Sequence, residues 1–376
     1  MAVDATIADI ANLKKLAGRL SGRMPAGASG KGGLDISPPQ LDQIIGGGAS
    51  VAAELGFGLD EDIPHIESNG YLETVEANIS QRARERGLRA LGTLGSGNHF
   101  LELQTVGSVV DEETAKQWGL YENQLLAMIH SGSRGLGHQV CTDHVRGLEQ
   151  RYKKKGDLWV DEEWGYELPD RQLAAAPFYS KQGMDYFDSM NAAANFAFAN
   201  RAALATRLRT VLELEMGIDG EARTLYDVAH NIAKKETHII AGSSCQCCVH
   251  RKGATRAFGG DHPDIAESFK LTGQPVLVPG DMGSGSWIMA APKTGQNHAF
   301  ASSCHGAGRA LSRTKARRTV DGKALKRQLE DSGIRIHAST DNILSEEAPS
   351  AYKDVDEVIS ITDAAGLARP LVGLNQ

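Results

Sequence analysis

Apolar side chains recur along this chain at the spacings of helices and strands. Between residues 5 and 20 they return every three or four residues, which predicts an amphipathic helix. Short apolar runs at Leu125–Ile129 and Pro275–Val278 predict two strands. Further helices are predicted over residues 39–54, 73–90 and 185–215, the last of them long and rich in alanine.

The order of these elements predicts an α+β protein in which mixed sheets are surrounded by helices. Residues 151–184 combine charged and aromatic side chains without a helical or strand period, which indicates an excursion on the surface. Neither an internal repeat nor a convincing boundary divides the remainder, so we expect a single domain over residues 1–376.

Composition narrows the class of protein. The chain has 376 residues, 41% hydrophobic and 23% charged, as in ordinary soluble globular proteins. Its apolar runs are shorter than the roughly 18 residues of a membrane span, and the start lacks the pattern of a secretory signal. Five cysteines, three of them within residues 245–248, make a poor disulfide framework and favour the cytoplasm.

Charge is distributed unevenly. A formal net charge of -7 argues against nucleic-acid binding by the whole surface. Between Arg309 and Arg327, however, eight basic residues stand against one acid, Asp321, a local charge of +7. A solvated helix face is one interpretation. Because the run begins four residues after His305, a candidate nucleophile, a phosphate-rich partner is favoured.

His305 is the most informative residue, because it is followed at once by Gly306-Ala307-Gly308-Arg309. Small residues let a ligand approach the backbone closely, and the guanidinium of Arg309 can fork onto a phosphate. This arrangement suits a nucleophilic histidine better than a packing one.

Three more histidines, His99, His130 and His230, lie beside glycine, serine or asparagine. Neutral imidazoles suit manganese, zinc or iron. These residues are far apart in sequence, so only the fold can bring them together. Taken singly, each is better explained as a satisfied core histidine; taken jointly, with Asn98 and Asn231 beside two of them, they favour a metal site. Glycine- and serine-rich loops at residues 92–97, 131–137 and 279–286 offer N–H groups and hydroxyls to a phosphate or a purine edge. Together these features predict one site for metal and nucleotide.

Cys245-Gln-Cys-Cys-Val-His250 is an alternative metal motif. Its thiols are too close together for a usual zinc knuckle, and a second cysteine pair is missing. Buried or incidental thiols are therefore favoured over a separate zinc site.

Six segments resemble those of the RtcB-type RNA-splicing ligases, and the resemblance covers nearly the whole chain. They are Leu91-Gly-Thr-Leu-Gly-Ser-Gly-Asn-His-Phe-Leu-Glu102, His130-Ser-Gly-Ser-Arg-Gly-Leu-Gly-His138, Asp227-Val-Ala-His-Asn231, His250-Arg-Lys-Gly-Ala-Thr-Arg256, His305-Gly-Ala-Gly-Arg309 and Glu347-Ala-Pro-Ser-Ala-Tyr-Lys-Asp-Val-Asp356.

The resemblance implies a single catalytic ligase domain that uses GTP and two manganese ions. Such an enzyme joins an RNA 3′-phosphate or 2′,3′-cyclic phosphate end to a 5′-hydroxyl end. His305 would attack the α-phosphate of GTP, and the guanylyl group would then pass to the RNA 3′-phosphate. Metal ions would polarise the phosphoryl oxygens.

The resemblance also assigns residues. The expected metal ligands are His99, His130 and His230. The expected nucleotide-binding residues are Asn98, His99, Phe100, Leu101, Glu102, His230, Asn231, Pro279, Gly280, Asp281, Met282, Ser286, His305, Gly306, Ala307, Gly308 and Asn375. The candidates for RNA contact are Arg134, Arg251, Lys252, Arg309 and Arg313.

The sequence departs from the family in three places. Members carry an Asp-x-Gly-Cys-Gly-Met segment whose Asp and Cys complete the metal site, whereas this sequence starts where that segment would end. Asn375 stands in place of a lysine that contacts the guanylate, and Asp281 in place of a frequent serine. We therefore expect an N-terminally truncated fold and weak or absent ligation.

Two other functions remain open at this point. One is a non-catalytic paralogue that binds guanine nucleotide or structured RNA. The other is a metal-dependent phosphohydrolase, which is less favoured because such enzymes usually rely on several carboxylate ligands.

Overall fold

The computed structural model describes residues 1–6, 13–27, 32–217, 222–338 and 340–376. The helix predicted over residues 5–20 lies partly outside these ranges. Its described part is helical from Leu13, whereas Ala2–Thr6 is a strand.

The described residues form helices packed with antiparallel sheets, which confirms the α+β class. The α-helices are α1 Leu13–Arg23, α2 Pro38–Glu54, α3 Gln81–Leu88, α4 Glu112–Gln117, α5 Arg134–Glu149, α6 Lys181–Met216, α7 Arg313–Thr319, α8 Gly322–Asp331, α9 Asp341–Glu346 and α10 Val355–Ala364. The strands are β1 Ala2–Thr6, β2 Phe100–Val109, β3 Gln124–His130, β4 Lys153–Lys155, β5 Leu158–Asp161, β6 Tyr166–Leu168, β7 Ala222–Arg223, β8 Asn231–Ile240, β9 Ser243–Lys252, β10 Ala254–Arg256, β11 Pro275–Val278, β12 Ser286–Ala290, β13 Ser302–Cys304 and β14 Arg369–Asn375.

A seven-stranded sheet forms the centre, with the strand order β11-β12-β14-β2-β3-β1-β7. The named strands pair antiparallel throughout. The expected mixture of directions is thus corrected: parallel pairing occurs in the isolated bridge between Ile66 and Asp227. Antiparallel neighbours can be joined by short turns, as at residues 241–242 between β8 and β9.

Helix α6 confirms the long helix predicted over residues 185–215 and extends it at both ends. Ser180 caps its start by accepting the N–H of Gly183, and Gly217 ends it in a left-handed conformation, with φ of 68°. Alanines such as Ala192 and Ala199 are buried along it, which lets α2 pack closely. Helices of this kind are stabilised mainly by such packing. None of the described helices combines the length and apolar character required to span a bilayer.

The helix predicted over residues 73–90 is shorter in the structure, because α3 begins only at Gln81. Upstream, side chains of α6 accept backbone N–H groups that a helix would need for itself. Asn195 accepts from Leu72, and Asp188 accepts from Glu76. The segment is therefore held extended along α6.

Residues 151–184 form a small antiparallel sheet, β4-β5-β6, separate from the central sheet, before α6 begins at Lys181. The strands predicted at Leu125–Ile129 and Pro275–Val278 are present as β3 and β11. The single domain over residues 1–376 stays a prediction.

Candidate active site

The fold brings the four histidines of the sequence analysis to one cleft of about 1390 Å³. His130 is the last residue of β3, and His305 directly follows β13, so both lie at the ends of strands. His99 and His230 instead come directly before β2 and β8. Antiparallel pairing of β2 with β3 sets Phe100 opposite His130, which brings His99 to the same end of the sheet.

The orientation of His305 follows from one hydrogen bond. Antiparallel pairing of β10 with β13 sets Ala254 opposite Cys304, so the preceding Gly253 lies beside His305. Nδ1 of His305 lies 2.8 Å from the carbonyl oxygen of Gly253. A carbonyl can only accept, so Nδ1 carries the proton and Nε2 keeps its lone pair.

The protonation state of His305 favours a nucleophile as well. Burial lowers its pKa below the usual value; the bond to Gly253 raises the pKa and the charge of Lys252 lowers it. The ring stacks on His230, with centroids 4.5 Å apart. The imidazole is therefore neutral at pH 7, with one nitrogen available for attack.

His130 and His230 face each other through their Nε2 atoms, 2.9 Å apart. Burial lowers the pKa of both rings, that of His230 to about 4. Each ring also has an Nδ1 that is buried without a hydrogen-bond partner among the described residues. Because two facing lone pairs would repel at this separation, either one ring donates its Nε2–H to the other or a cation lies between the two nitrogens.

The separation of the two Nε2 atoms, 2.9 Å, suits two ligands of one metal ion. With metal–nitrogen bonds of about 2.1 Å, two ligands of one ion lie roughly 3 Å apart, so His130 and His230 fit. His99 does not present a free nitrogen in the same way. Its Nδ1 accepts from Arg134 at 2.9 Å, which leaves the proton on Nε2, and its ring centroid is 6.0 Å from that of His130.

His99 is uncharged for a physical reason. Burial, then the charge of Arg134, lowers its pKa to about 4. Arg134 itself is fixed by bonds to Gly27 and Thr93. Within the described ranges, His, Cys, Asp and Glu side chains nowhere form a group of three that could hold a metal ion. The structure thus assembles two of the three predicted ligands.

The loops at residues 279–286 and 305–308 lie against each other. The N–H of Ala307 donates to the carbonyl of Pro279 at 3.0 Å. A Cβ on Gly306 would come within 3.2 Å of that carbonyl oxygen, so a small residue suits this contact. Pro279 and His305 line the cleft together.

One face of β2 carries polar side chains toward this loop pair. Gln104 donates to the hydroxyl of Ser286 at 2.9 Å, and Ser286 also accepts the N–H of Gly280. The other amide atom of Gln104, Oε1, is buried without a partner among the described residues. Burial, then the charge of Asp281, raises the pKa of Glu102 to about 8. The unpartnered Oε1 of Gln104 suits the N–H edge of a guanine, whereas Glu102 would accept such a bond only after losing its proton.

Other members of the predicted nucleotide set face elsewhere. Leu101 packs into a core cluster beneath the sheet, and Met282 packs against the cluster around Leu325 and Leu329. Asp281 accepts from the backbone of its own loop. Together with Asn375, it lines a second cavity of about 480 Å³. The set is therefore divided between two cavities.

The remaining predicted residues lie at the cleft or beside it. Asn231 lines the cleft, and its Oδ1 accepts the N–H of Gly253. Asn98 also lines the cleft and accepts from the hydroxyl of Tyr352. Phe100 lies edge-on to His130, with centroids 5.1 Å apart. Gly308 has a φ of 76°.

The arginines proposed for RNA contact are largely engaged inside the protein. Arg251 is buried and pairs with Glu236 through both terminal nitrogens. Arg309 and Arg313 both pair with Glu347. Acidic residues thus neutralise part of the basic run. Lys252, like Arg313, is exposed and lines the cleft.

Sequence reasoning missed three residues of the cleft region: Gly253, Gln104 and Arg201. Gly253 stands inside a quoted motif, and Gln104 shares the strand face of Glu102, so both had local signals. Arg201 lies within the alanine-rich helix α6 and had none. It clamps Asp227 through Nε, while its Nη2 is buried without a partner among the described residues.

A buried ionic network holds the loop that carries His230. Glu67 accepts the N–H of Ala229 at 2.8 Å and pairs with Lys234 at 2.9 Å and with Arg256. Burial alone would raise the pKa of Glu67, but the two cations lower it to about 2. The carboxylate is therefore charged at pH 7 and fixes the backbone beside His230.

The cysteine motif does not belong to any group of three possible metal ligands in the part of the chain that the structure describes. Successive strand residues face opposite sides, so Cys247 and Cys248 of β9 point apart. The Sγ of Cys248 lies 3.6 Å from Nε2 of His250. All five cysteines are free thiols.

An α+β fold with a cleft that holds a neutral histidine, oriented so that one ring nitrogen keeps its lone pair, is typical of an enzyme with a nucleophilic side chain. The chain belongs to the tRNA-splicing ligase RtcB family, whose model matches residues 1–376. It is 44% identical over 360 residues to the tRNA-splicing ligase RtcB of Thermococcus kodakarensis, covering 95% of this chain and 73% of that protein. The RtcB of Archaeoglobus fulgidus is 44% identical over 361 residues, with the same two shares. That of Methanocaldococcus jannaschii is 44% identical over 360 residues, 95% of this chain but 36% of the longer relative.

Proposed function

We propose that this chain is an RNA ligase that joins RNA 3′-phosphate or 2′,3′-cyclic phosphate ends to 5′-hydroxyl ends, with GTP as cosubstrate and manganese as cofactor. The observation that carries the proposal is the free Nε2 of His305, set by the bond from Nδ1 to Gly253. The names of the relatives, tRNA-splicing ligases, support the same class of reaction.

In the first step, Nε2 of His305 attacks the α-phosphorus of GTP. The new N–P bond forms as the bond to the β-phosphate oxygen breaks, and pyrophosphate leaves. The imidazole then carries a positive charge, which the carbonyl of Gly253 stabilises through the proton on Nδ1. A histidine that attacked through Nε2 without a hydrogen-bond acceptor at Nδ1 would lack this stabilisation of the positive charge.

In the second step, an oxygen of the RNA 3′-phosphate attacks the guanylyl phosphorus, and the N–P bond to His305 breaks. In the third step, the 5′-hydroxyl attacks the activated 3′-phosphorus; the hydroxyl proton is lost and GMP leaves. A 2′,3′-cyclic end first takes up water to become a 3′-phosphate. Lys252, exposed at the cleft, supplies positive charge near these phosphates.

Manganese, when bound, polarises phosphoryl oxygens and offsets their accumulating charge. The residues that would hold it are His130 and His230, whose Nε2 atoms already converge. His99 would join them only after its Nδ1 releases Arg134. On the nucleotide side, Gln104 offers its unpartnered Oε1 to guanine N–H groups, and Glu102 would offer a second acceptor on losing its proton.

The test is ligation of two RNA strands with defined ends. The expected result is slow joining of 3′-phosphate to 5′-hydroxyl ends in the presence of GTP and manganese, in keeping with the weak ligation expected from the sequence, and no joining of 3′-hydroxyl to 5′-phosphate ends. His305→Ala should abolish joining. A chain that binds guanine nucleotide or structured RNA but joins neither pair of ends would be the non-catalytic paralogue.

A further inference from the structure

The β8–β9 hairpin has two faces of different character. On the inner face, Lys234 and Arg251 are buried and paired with Glu67 and Glu236. The outer face alternates with it, because successive strand residues face opposite sides. From the catalytic end outward, its cross-strand pairs are Asn231–Lys252, Ala233–His250, Lys235–Cys248 and Thr237–Gln246.

This outer face begins at the candidate nucleophile. Lys252 precedes Gly253, whose carbonyl holds His305. Lys235 is paired with Cys248, four residues from Lys252 along β9. At about 3.3 Å per residue, the two lysines are roughly 13 Å apart along the hairpin. Both are exposed.

Aromatic rings from the segment before α6 and from the first turns of α6 lie beside Lys235 on this face. Nζ of Lys235 lies 4.9 Å from the ring centroid of Phe178 and 5.6 Å from that of Phe187. Tyr179 packs against Phe178 with centroids 5.1 Å apart, yet its own side chain is 77% exposed. Phe178 and Phe187 line the same cleft as His305.

The chemistry of this surface matches a single nucleic-acid strand. Its charged groups are cations, and none of its eight outer positions is Asp or Glu. Exposed aromatic faces bind unstacked bases, and lysines beside them bind the backbone. A continuous duplex would not offer its base faces to these rings.

We infer that the outer face of the β8–β9 hairpin, with Phe178 and Tyr179, is a binding path that leads a single-stranded RNA end to His305. This inference rests on the proposed ligase function and extends it to residues outside the motifs. Tyr179 stacks on a base, and Lys235 contacts the phosphates beside that base.

The test is fluorescence anisotropy of a short labelled single-stranded RNA with a 3′-phosphate, measured without GTP. Tyr179→Ala and Lys235→Gln should each weaken binding about five-fold or more. Lys235→Gln should also reduce the dependence of log affinity on log salt by about 0.7. The matched controls are Tyr71→Ala, at 41% exposure, and Lys293→Gln, whose ammonium pairs with Glu113; neither residue belongs to the hairpin, and both variants should bind like the parent.

Two comparisons decide the inference. Blunt duplex RNA should be bound equally by the parent and by Tyr179→Ala, and labelling of His305 by GTP should be the same in both. The binding path would be overturned if Tyr179→Ala and Lys235→Gln bound single-stranded RNA as tightly as the controls, or if the parent did not bind it. It would also be overturned if Tyr179→Ala lost as much affinity for duplex RNA as for single-stranded RNA, or lost the labelling by GTP. Weakened single-strand binding in a parent that is never labelled by GTP would leave the path standing and refute the ligase instead.

Discussion

His305 and Gly253 are joined by a hydrogen bond of 2.8 Å from Nδ1 to the carbonyl oxygen. The bond depends on backbone register, because β10 and β13 pair Ala254 with Cys304 and thereby place Gly253 beside the ring. Sheet geometry, rather than another side chain, therefore decides which nitrogen of the histidine can attack a phosphorus atom.

Gly253 should be sensitive to the smallest substitution. Its φ is 67°, and a Cβ there would lie 3.3 Å from Cε1 of His305. Gly253→Ala should displace the ring by a few tenths of an ångström and slow the labelling of the protein by GTP about ten-fold or more. The measurement is the rate of label incorporation at saturating GTP.

Gly242→Ala is the matched control, because Gly242 also has a positive φ, 81°, and a Cβ there would meet no atom within 4 Å. Both variants carry a similar cost of left-handed backbone, of about 1 kcal/mol. Equal rates in the two variants would show that the contact with His305 is irrelevant.

Glu102 should contribute to GTP affinity and lower the stability of the fold at high pH. Burial keeps Glu102 protonated in the free protein, and its carboxyl can lose that proton to accept guanine N–H groups, whereas the amide of Glu102→Gln cannot. GTP affinity measured by calorimetry should therefore fall about ten-fold or more. Glu113→Gln, whose carboxylate is 72% exposed, is the control and should bind GTP like the parent. Unchanged GTP affinity in Glu102→Gln would remove this residue from the nucleotide site.

The same variant should be more stable than the parent in alkali. Because burial raises the pKa of Glu102 to about 8, the folded state keeps a proton that the unfolded state releases near pH 4.5. The parent therefore loses stability as pH rises from 4.5 to 8. Glu102→Gln should unfold at higher urea concentration than the parent at pH 8 and at a similar concentration at pH 4.

Manganese binding should depend on the facing imidazoles. Substitution of His130 or His230 by Ala should weaken manganese binding about ten-fold or more, as followed by electron paramagnetic resonance of the free ion. The exposed His337→Ala is the control. Equal binding by all of these proteins would place the ion elsewhere.

Glu67 should be the most costly acidic residue to neutralise. Glu67→Gln leaves Lys234 buried without its partner, so the free energy of unfolding should fall by about 3 to 5 kcal/mol at pH 7. The pKa of Glu67 is depressed to about 2, so its contribution is complete above pH 4.5 and disappears as pH falls toward 2.

The exposed pair of Arg151 with Glu163, which is 73% exposed, supplies the comparison. Glu163→Gln should cost less than about 1 kcal/mol in the same urea titration. Similar losses for the two variants would contradict the importance assigned to the buried network.

The spacing of apolar residues along the chain correctly predicted strands and helices that form from neighbouring residues. The apolar run before His130 indicated β3, and the alanine-rich stretch indicated α6. The segment from residue 73 to residue 80 was wrongly predicted as helical because the side chains that capture its N–H groups come from α6, more than a hundred residues away.

The site was predictable in its residues but less so in its contacts. Motifs identified His305, yet the partner of its Nδ1 follows from strand register. The basic run from Arg309 to Arg327 predicted a phosphate-binding surface. In the structure, Glu346 and Glu347, which follow later in the chain, pair with several of its arginines. His99 was expected to bind metal, and its contact with Arg134 depends on the start of α5.

The most direct measurement is transfer of radiolabel from GTP to the protein in manganese, followed by a denaturing gel. Label at the α-phosphate should remain on the parent chain, label at the γ-phosphate should not, and His305→Ala should retain neither. Acid-labile, alkali-stable label would identify a phosphoramidate. Label retained equally by His305→Ala, or absent from a folded parent that binds both GTP and manganese, would contradict the assignment of His305 as the nucleophile.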